Sequence, residues 1–193
     1  MQTLNVTYKV TAEPAIEPLT LSDLKDRMRI TTCDFDIELA QLMTAARKQV
    51  EHDTHRKLIT QTLEMYLDEF PAGDTIEIRQ APVQSVTSVQ YVDEDVATQT
   101  LSSATYTTDL DGVPPRIVLL ENEDWEDTEP RYPKSVTVTF VAGYGTTAAS
   151  VPVEAKLAIV EWVRMHWGDC EGDGAKYKNL VNTLAWSGYW KGV

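Results

Sequence analysis

With 193 residues, 42% of them hydrophobic and 24% charged, the chain has the make-up of a globular protein with one sizeable core, or a core plus an insertion. A formal net charge of −13 argues against wrapping nucleic acid, which needs clustered Lys and Arg. No apolar run approaches the roughly 18 residues of a membrane span, and Cys33 and Cys170, far apart and without a CxxC spacing, exclude a disulfide framework and argue against a redox or metal centre.

The opening MQTLNVTYKV lacks the basic-then-apolar order of a secretory signal, so synthesis in the cytoplasm is expected. Leu4, Val6, Tyr8 and Val10 alternate like a short strand, and Pro14 and Pro18 make a stiff connection after it, which reads residues 1–18 as an extended N-terminal arm. Thr20 with Asp23 three residues on forms an approximate capping box for a short helix ending near Ile30. A second helix starts near Asp34, with Phe35, Leu39, Leu42, Met43, Ala46 and Val50 at steps of three and four. It ends in EHDTHRK, where His52, Asp53 and His55 invite a metal or acid–base reading. The three-residue His spacing and the missing further ligand make a solvated helix end the better one.

From Gln61 to Phe140 the pattern changes to short alternating strands: Leu63, Met65 and Leu67, then Ile76 and Ile78, then Val86, Val89, Tyr91 and Val92. Turns at Pro71–Asp74 and at Asp111–Pro115 punctuate them, so a small antiparallel sheet or sandwich is expected. ENEDWEDTE, residues 121–129, lacks the glycine of a calcium loop, and its Trp125 is expected to fold back onto the sheet. Val136, Val138 and Phe140 form a last strand, Gly143 and Gly145 flank Tyr144 in a sharp turn, and Pro152 opens a helix.

That helix carries two apolar stripes: Val153, Leu157, Val160, Val163 and Trp167 on one side, and Ala155, Ile159, Trp162 and His166 beside it. Two stripes imply burial on two sides, either deep in a core or between subunits, and the second set is the candidate for a contact between subunits. After Gly168 an acidic, glycine-rich stretch leads to a short amphipathic segment. Leu184, Trp186, Tyr189 and Trp190 then crowd the end, as candidate anchors for a partner or as a tail folded back onto its own domain. No Walker loop, Rossmann fingerprint, GxSxG elbow or HExxH is present, which points away from catalysis, and no cofactor is expected.

The order of blocks says more. EPLTLSDLKDRMRI, a helix ending before HRKLITQTLEMYLDEFP, then IRQAPVQSVTSVQYVD, then VTVTFVAGYG and VPVEAKLAIVEWVRMHW resembles the head–tail connector (adaptor) proteins of tailed double-stranded DNA bacteriophages. The resemblance covers about residues 15 to 168. It departs at Glu94, Asp95 and Val96, where a glycine usually closes the hairpin, and at Thr54–His55–Arg56, where Thr-Gly-Arg is common.

The segments read as an α+β fold with a helical body (19–60 and 150–168) and an inserted antiparallel β region (61–145), and the tail (169–193), which the resemblance does not cover, is expected to dock on a portal. The resemblance implies a structural, non-enzymatic protein of the virion neck, a ring of about twelve copies beneath the portal protein. Further partners would be a tail or head-completion (stopper) protein and DNA passing through the lumen without sequence-specific binding, with no membrane. A tail-completion or terminator role in the same particle is the alternative, and a metal-dependent enzyme a more distant one.

Overall fold

Period-two sequence becomes strand and period-3.6 sequence becomes helix along most of this chain. The structure is a computed structural model that describes residues 5–128, 133–168 and 172–185. The fold is α+β, with helices and antiparallel sheets. The chain divides into two compact units, one of residues 1–13 and 61–143, the other of residues 14–60 and 144–193.

The first unit is all β among its described residues. Five strands lie in the order β1 (Val6–Ala12), β2 (Gln61–Leu67), β8 (Val136–Ala142), β4 (Val83–Val92) and β5 (Thr98–Thr100), each antiparallel to its neighbours. Three more, β3 (Thr75–Glu77), β7 (Arg116–Leu119) and β6 (Tyr106–Asp109), make a second antiparallel sheet. Leu63, Met65 and Leu67 of β2 stand opposite Phe140, Val138 and Val136 of β8, and all six are buried while their alternates are half-buried. Ile76 and Ile117 of the small sheet join the same core, so one apolar interior serves both sheets.

The short strand read from the N-terminal alternation is present, as a strand of the large sheet: Val6 pairs with Leu67 and Val10 with Leu63, and Tyr8 meets Phe140 edge-on at 6.4 Å. The alternation of Val6, Tyr8 and Val10 is that of a strand with one covered face, and its cover lies within its own chain. The β region is therefore assembled from two separate stretches. β5, Thr-Gln-Thr and fully exposed, has no apolar alternation to announce it and exists by pairing with β4.

The second unit is helical. Thr20 caps α1 (Leu21–Met28) with the full reciprocal box: Asp23 N–H donates to Thr20 Oγ1 at 3.0 Å, and the Thr20 N–H donates to the Asp23 carboxylate at 3.3 Å. α2 (Asp36–Thr54) begins at Phe35 without a side-chain cap. α3 (Val153–His166) has Pro152 at its N-cap, and α4 (Gly174–Leu184) is capped by Asp173, which accepts from the N–H groups of Ala175 and Lys176. Leu24, Leu39, Val50, Ile59, Ala155, Ile159, Val163, Tyr177 and Val181 share one core.

The glycine turn after β8 lies where the two units divide, between Gly143 and Tyr144. Gly145, at φ 157°, has no room for a side chain, since a Cβ would meet Ser150 Oγ at 2.5 Å and Ser150 Cβ at 2.7 Å. At the two places where the family resemblance lacks its customary glycine, the backbone is left-handed all the same. His55 holds φ 52° after α2, and Val96 holds φ 61° between β4 and β5.

Candidate assembly surfaces

The residues expected at a subunit contact divide between core and surface. Ala155 and Ile159 are fully buried in the helical unit's own core, along with Tyr177, Val181 and Leu184 of α4. The second stripe of α3 is thus covered from within the chain, because α3 contacts α1, α2 and α4. Trp162 is half-buried and stacks on the exposed ring of His166 with centroids 3.8 Å apart. His166 Nδ1 donates to the Trp162 carbonyl at 2.8 Å, so the imidazole is tied to its own helix. Of the four, only Trp162 and His166 reach the surface.

The expected tail behaves in the same way as far as it is described. α4 is locked to its neighbours by polar contacts at three points. Buried Glu161 accepts from Asp173 N–H at 2.8 Å and Lys176 Nζ at 2.9 Å, with Arg164 at 3.5 Å. Tyr177 Oη donates to Asp53 Oδ2 at 2.7 Å, and Arg56 Nε donates to the Leu184 carbonyl at 2.6 Å. Burial and then the Asp53 carboxylate push the Tyr177 hydroxyl far above its ordinary value, which keeps it a donor. Leu184 is buried as the last core residue of α4, whereas Trp186, Tyr189 and Trp190 lie outside the described residues.

The His52–Asp53–His55 segment sits at the end of α2. His52 is exposed, its ring 6.4 Å from that of His55, and Asp53 is taken up by Gln49, His52 and Tyr177. Burial, helped by His52, lowers the His55 pKa. Among the described residues no group of three or more His, Cys, Asp or Glu is placed to hold a metal ion. No helix among them is long and apolar enough to cross a membrane.

The remaining buried charges also make structural pairs. Arg47 Nε donates to Glu17 at 2.9 Å, and Glu51 accepts from the Leu58 N–H at 3.0 Å, with Lys57 at 3.4 Å. The Glu51 bonds close the turn from α2 towards β2, since a buried carboxylate is tolerable only when its lone pairs are engaged, while Arg47 ties α2 to the segment before α1.

Two surface features were not drawn from the sequence. One is an apolar pad where α2 begins and α3 ends. Phe35, 47% exposed, packs edge-on against Trp167 at 5.3 Å, and Ile37, two residues on in the sequence, is 79% exposed. The period-3.6 reading of α2 counted Phe35 as core and passed over Ile37, because periodicity alone does not show where a helix face runs out of cover.

The other is the division of charge. The sheet unit holds seventeen Asp and Glu against five Lys and Arg, a balance of −12, and the helical unit thirteen against twelve, a balance of −1; together they make the −13 of the chain. This division was legible in the sequence once the unit boundaries were known. Part of the acid lies on the segment before residue 129, where Trp125 stacks flat on Phe70 at 4.9 Å and donates its Nε1–H to the Gly73 carbonyl at 2.8 Å.

Among known proteins, no family model and no curated protein matches this chain. Solved structures do. A chain in the neck of an empty gene transfer agent (GTA) particle, computed with C6 symmetry, is similar with a TM-score of 0.78 and 20% identity, over 93% of this chain and 95% of that one. A chain of the native GTA virion matches with a TM-score of 0.75 and 21% identity, over 92% and 94%. One in the neck of the native GTA particle, computed with C12 symmetry, matches with a TM-score of 0.70 and 20% identity, over 95% of each. The chain thus has, over nearly its whole length, the fold of chains found in gene transfer agent particles and their necks.

Proposed function

We propose that this protein is a structural head–tail connector of a phage-like particle, a ring-forming neck component with no catalytic role. The observation that carries the reading is end-to-end similarity of fold to chains in a particle neck, joined to the co-ordered sequence blocks of phage adaptors. In this reading about twelve copies close a ring beneath the portal and hand the particle on to a stopper or tail protein. Heterologous contacts close such a ring, so each subunit needs two different patches.

DNA passes through the lumen, and an acidic surface suits a channel that must not retain phosphate. The aromatic end, Trp186, Tyr189 and Trp190, docks on the portal, with Leu184 as the last residue fixed to the subunit's own core.

The test is assembly of the purified chain, by mass photometry and negative-stain microscopy, with and without its portal. Rings that bind portal support the connector. A protein that stays monomeric at high concentration and ignores portal refutes it, and co-purification with tail tube in place of portal assigns it to tail completion. Removal of residues 186–193 is expected to weaken portal capture while leaving the helical unit folded, and undiminished capture refutes the anchor.

A further inference from the structure

We infer that free copies of this chain pair two-fold through the open edge of β1, with Val6 of each copy opposite Val10 of the other. Two five-stranded sheets then become one continuous sheet. The inference is independent of the connector reading, because a two-fold contact does not propagate round a ring.

Alternation along the ladders fixes which way each main-chain group of β1 points. Val92 N–H donates to the Ser135 carbonyl at 2.9 Å, while Asp93 and Leu101 N–H bond the Ala97 and Val89 carbonyls on the β5 side at 3.0 and 2.8 Å. Ser135 therefore directs its main chain at β4. With no register shift between β8 and β2, Val136, Val138 and Phe140 direct theirs at β2, and Leu63, Met65 and Leu67 answer them. Thr62, Glu64 and Tyr66 are thereby turned to β1, and the Thr62 carbonyl accepts from Thr11 Oγ1 at 3.2 Å on that side. Thr7 and Lys9 face Tyr66 and Glu64 in the ladder, so the N–H and C=O groups of Val6 and Val10 point away from the sheet.

Only one of the two sheet edges is fit for further pairing. At the far edge β5 has three residues, and the exposed run of β4 beside it is broken by register shifts between Val83 and Ser85 and between Val86 and Ser88. Short strands and bulges of this kind block an added strand. β1 has seven residues and no proline, and its one register shift lies after Val10. Val6, Thr7 and Lys9 are exposed, and among the described residues β1 pairs with β2 alone.

A second β1 is the strand this edge fits. Antiparallel pairing centred on Tyr8 sets Val6 against Val10 and Val10 against Val6, and every main-chain group these two valines offer is then bonded. The same register sets Lys9 against Thr7 of the second copy, and Lys9 keeps Glu64 as its cross-strand neighbour on β2. None of the seventeen Asp and Glu of the sheet unit falls within β1, so no acid confronts acid across the paired strands. The pair also shields an edge that would otherwise template the addition of other chains.

Sedimentation velocity of the full chain alone, over a concentration series, is expected to show monomer and dimer in equilibrium. Added salt is expected to tighten the dimer, because it screens the repulsion of two sheet units at −12 each. Val6→Pro deletes an outward N–H and no bond within the sheet. It is expected to raise the dimer midpoint about tenfold or more while the circular dichroism of the monomer stays unchanged. Disulfide trapping reads the register in a chain carrying Cys33→Ser and Cys170→Ser. Val6→Cys together with Val10→Cys is expected to give an oxidised dimer, and either one alone none, since residues four apart on a strand are separated by about 13 Å.

A chain monomeric at every concentration overturns the pair, as does a dimer that salt weakens or that Val6→Pro leaves untouched. Single-cysteine variants that cross-link as well as the double one overturn the register. Val6 and Val10 amides that gain protection from hydrogen exchange only when portal is added overturn the second copy and give the edge to a foreign strand.

Discussion

Val96 is a β-branched residue in left-handed backbone, and replacing it with glycine is expected to stabilise the protein. The turn between β4 and β5 is closed from several sides. Val96 N–H donates to the Asp93 carbonyl at 3.0 Å and Asp93 N–H to that of Ala97 at 3.0 Å. The Asp93 carboxylate accepts from Asp95 and Ala97 N–H groups at 3.1 and 2.9 Å. Gln99 donates to the same carboxylate at 2.8 Å; its bond, then that of Ala97, holds the Asp93 pKa below its ordinary value. Residue 96 has no choice of conformation under these constraints, so the strain of φ 61° is borne by valine.

Such strain costs about 2 kcal/mol for a branched side chain. Glycine removes it, while adding about 0.4–1 kcal/mol of unfolded-chain entropy. Little apolar burial is lost, because Val96 is 58% exposed. The net expectation for Val96→Gly is a gain of about 1 kcal/mol, a factor of about five in the protection of the most slowly exchanging amides of β4 and β8. Native-state hydrogen exchange and urea unfolding measure it. Equal or lower stability in Val96→Gly, with Val96→Ala also neutral, would refute the argument that the turn holds residue 96 in a strained conformation.

Two further substitutions probe the units separately. Burial raises the Glu161 pKa, but the Asp173 N–H and the bond and charge of Lys176, with Arg164, outweigh it, so the folded value lies below the ordinary 4.5. A depressed carboxylate contributes stability that is present above the unfolded pKa and lost as pH falls through the folded one. Glu161→Gln is therefore expected to cost about 1–2 kcal/mol at pH 7. The gap in urea midpoint should close on acidification below 4.5, and a gap constant with pH contradicts the role assigned to the charge. Trp125→Ala removes the stack on Phe70 and the bond to Gly73, together worth about 1–3 kcal/mol. The acidic segment should then be cut faster by a glutamate-specific protease; an unchanged rate would mean that something else holds it.

Local elements were legible where side chains decide them. The box at Thr20 and Asp23 was readable because both partners are local, and Leu63, Met65 and Leu67 announced a half-covered strand because their alternation is strict. What escaped depends on partners distant in sequence. The second stripe of α3 signalled cover without naming it, and an interface with another subunit satisfied the pattern as well as α4 does. Ala155 and Ile159 look the same in sequence against either. β5 has no apolar signal, and Val96 and His55 hide positive φ under residues that do not advertise it. The exposed pad is a matter of cover, and cover is a property of the folded chain.

The placement of β1 has a bearing on how the chain can be cut and how it folds. Thr11 Oγ1 donates to the Thr62 carbonyl across 51 residues, and both N-terminal helices lie between these two strands. The sheet is consequently not a cassette. Excising residues 61–143 would strip Val6–Ala12 of its only strand partner among the described residues and leave an apolar edge free to recruit other chains. During synthesis the first strand emerges and must wait, unpaired, until two helices and β2 have been made. Docking of β1 closes a loop that holds both N-terminal helices, a non-local pairing of the kind that slows folding. A deletion that respects this architecture takes residues 1–13 together with 61–143, and circular permutation that joins β1 directly to β2 would shorten the wait.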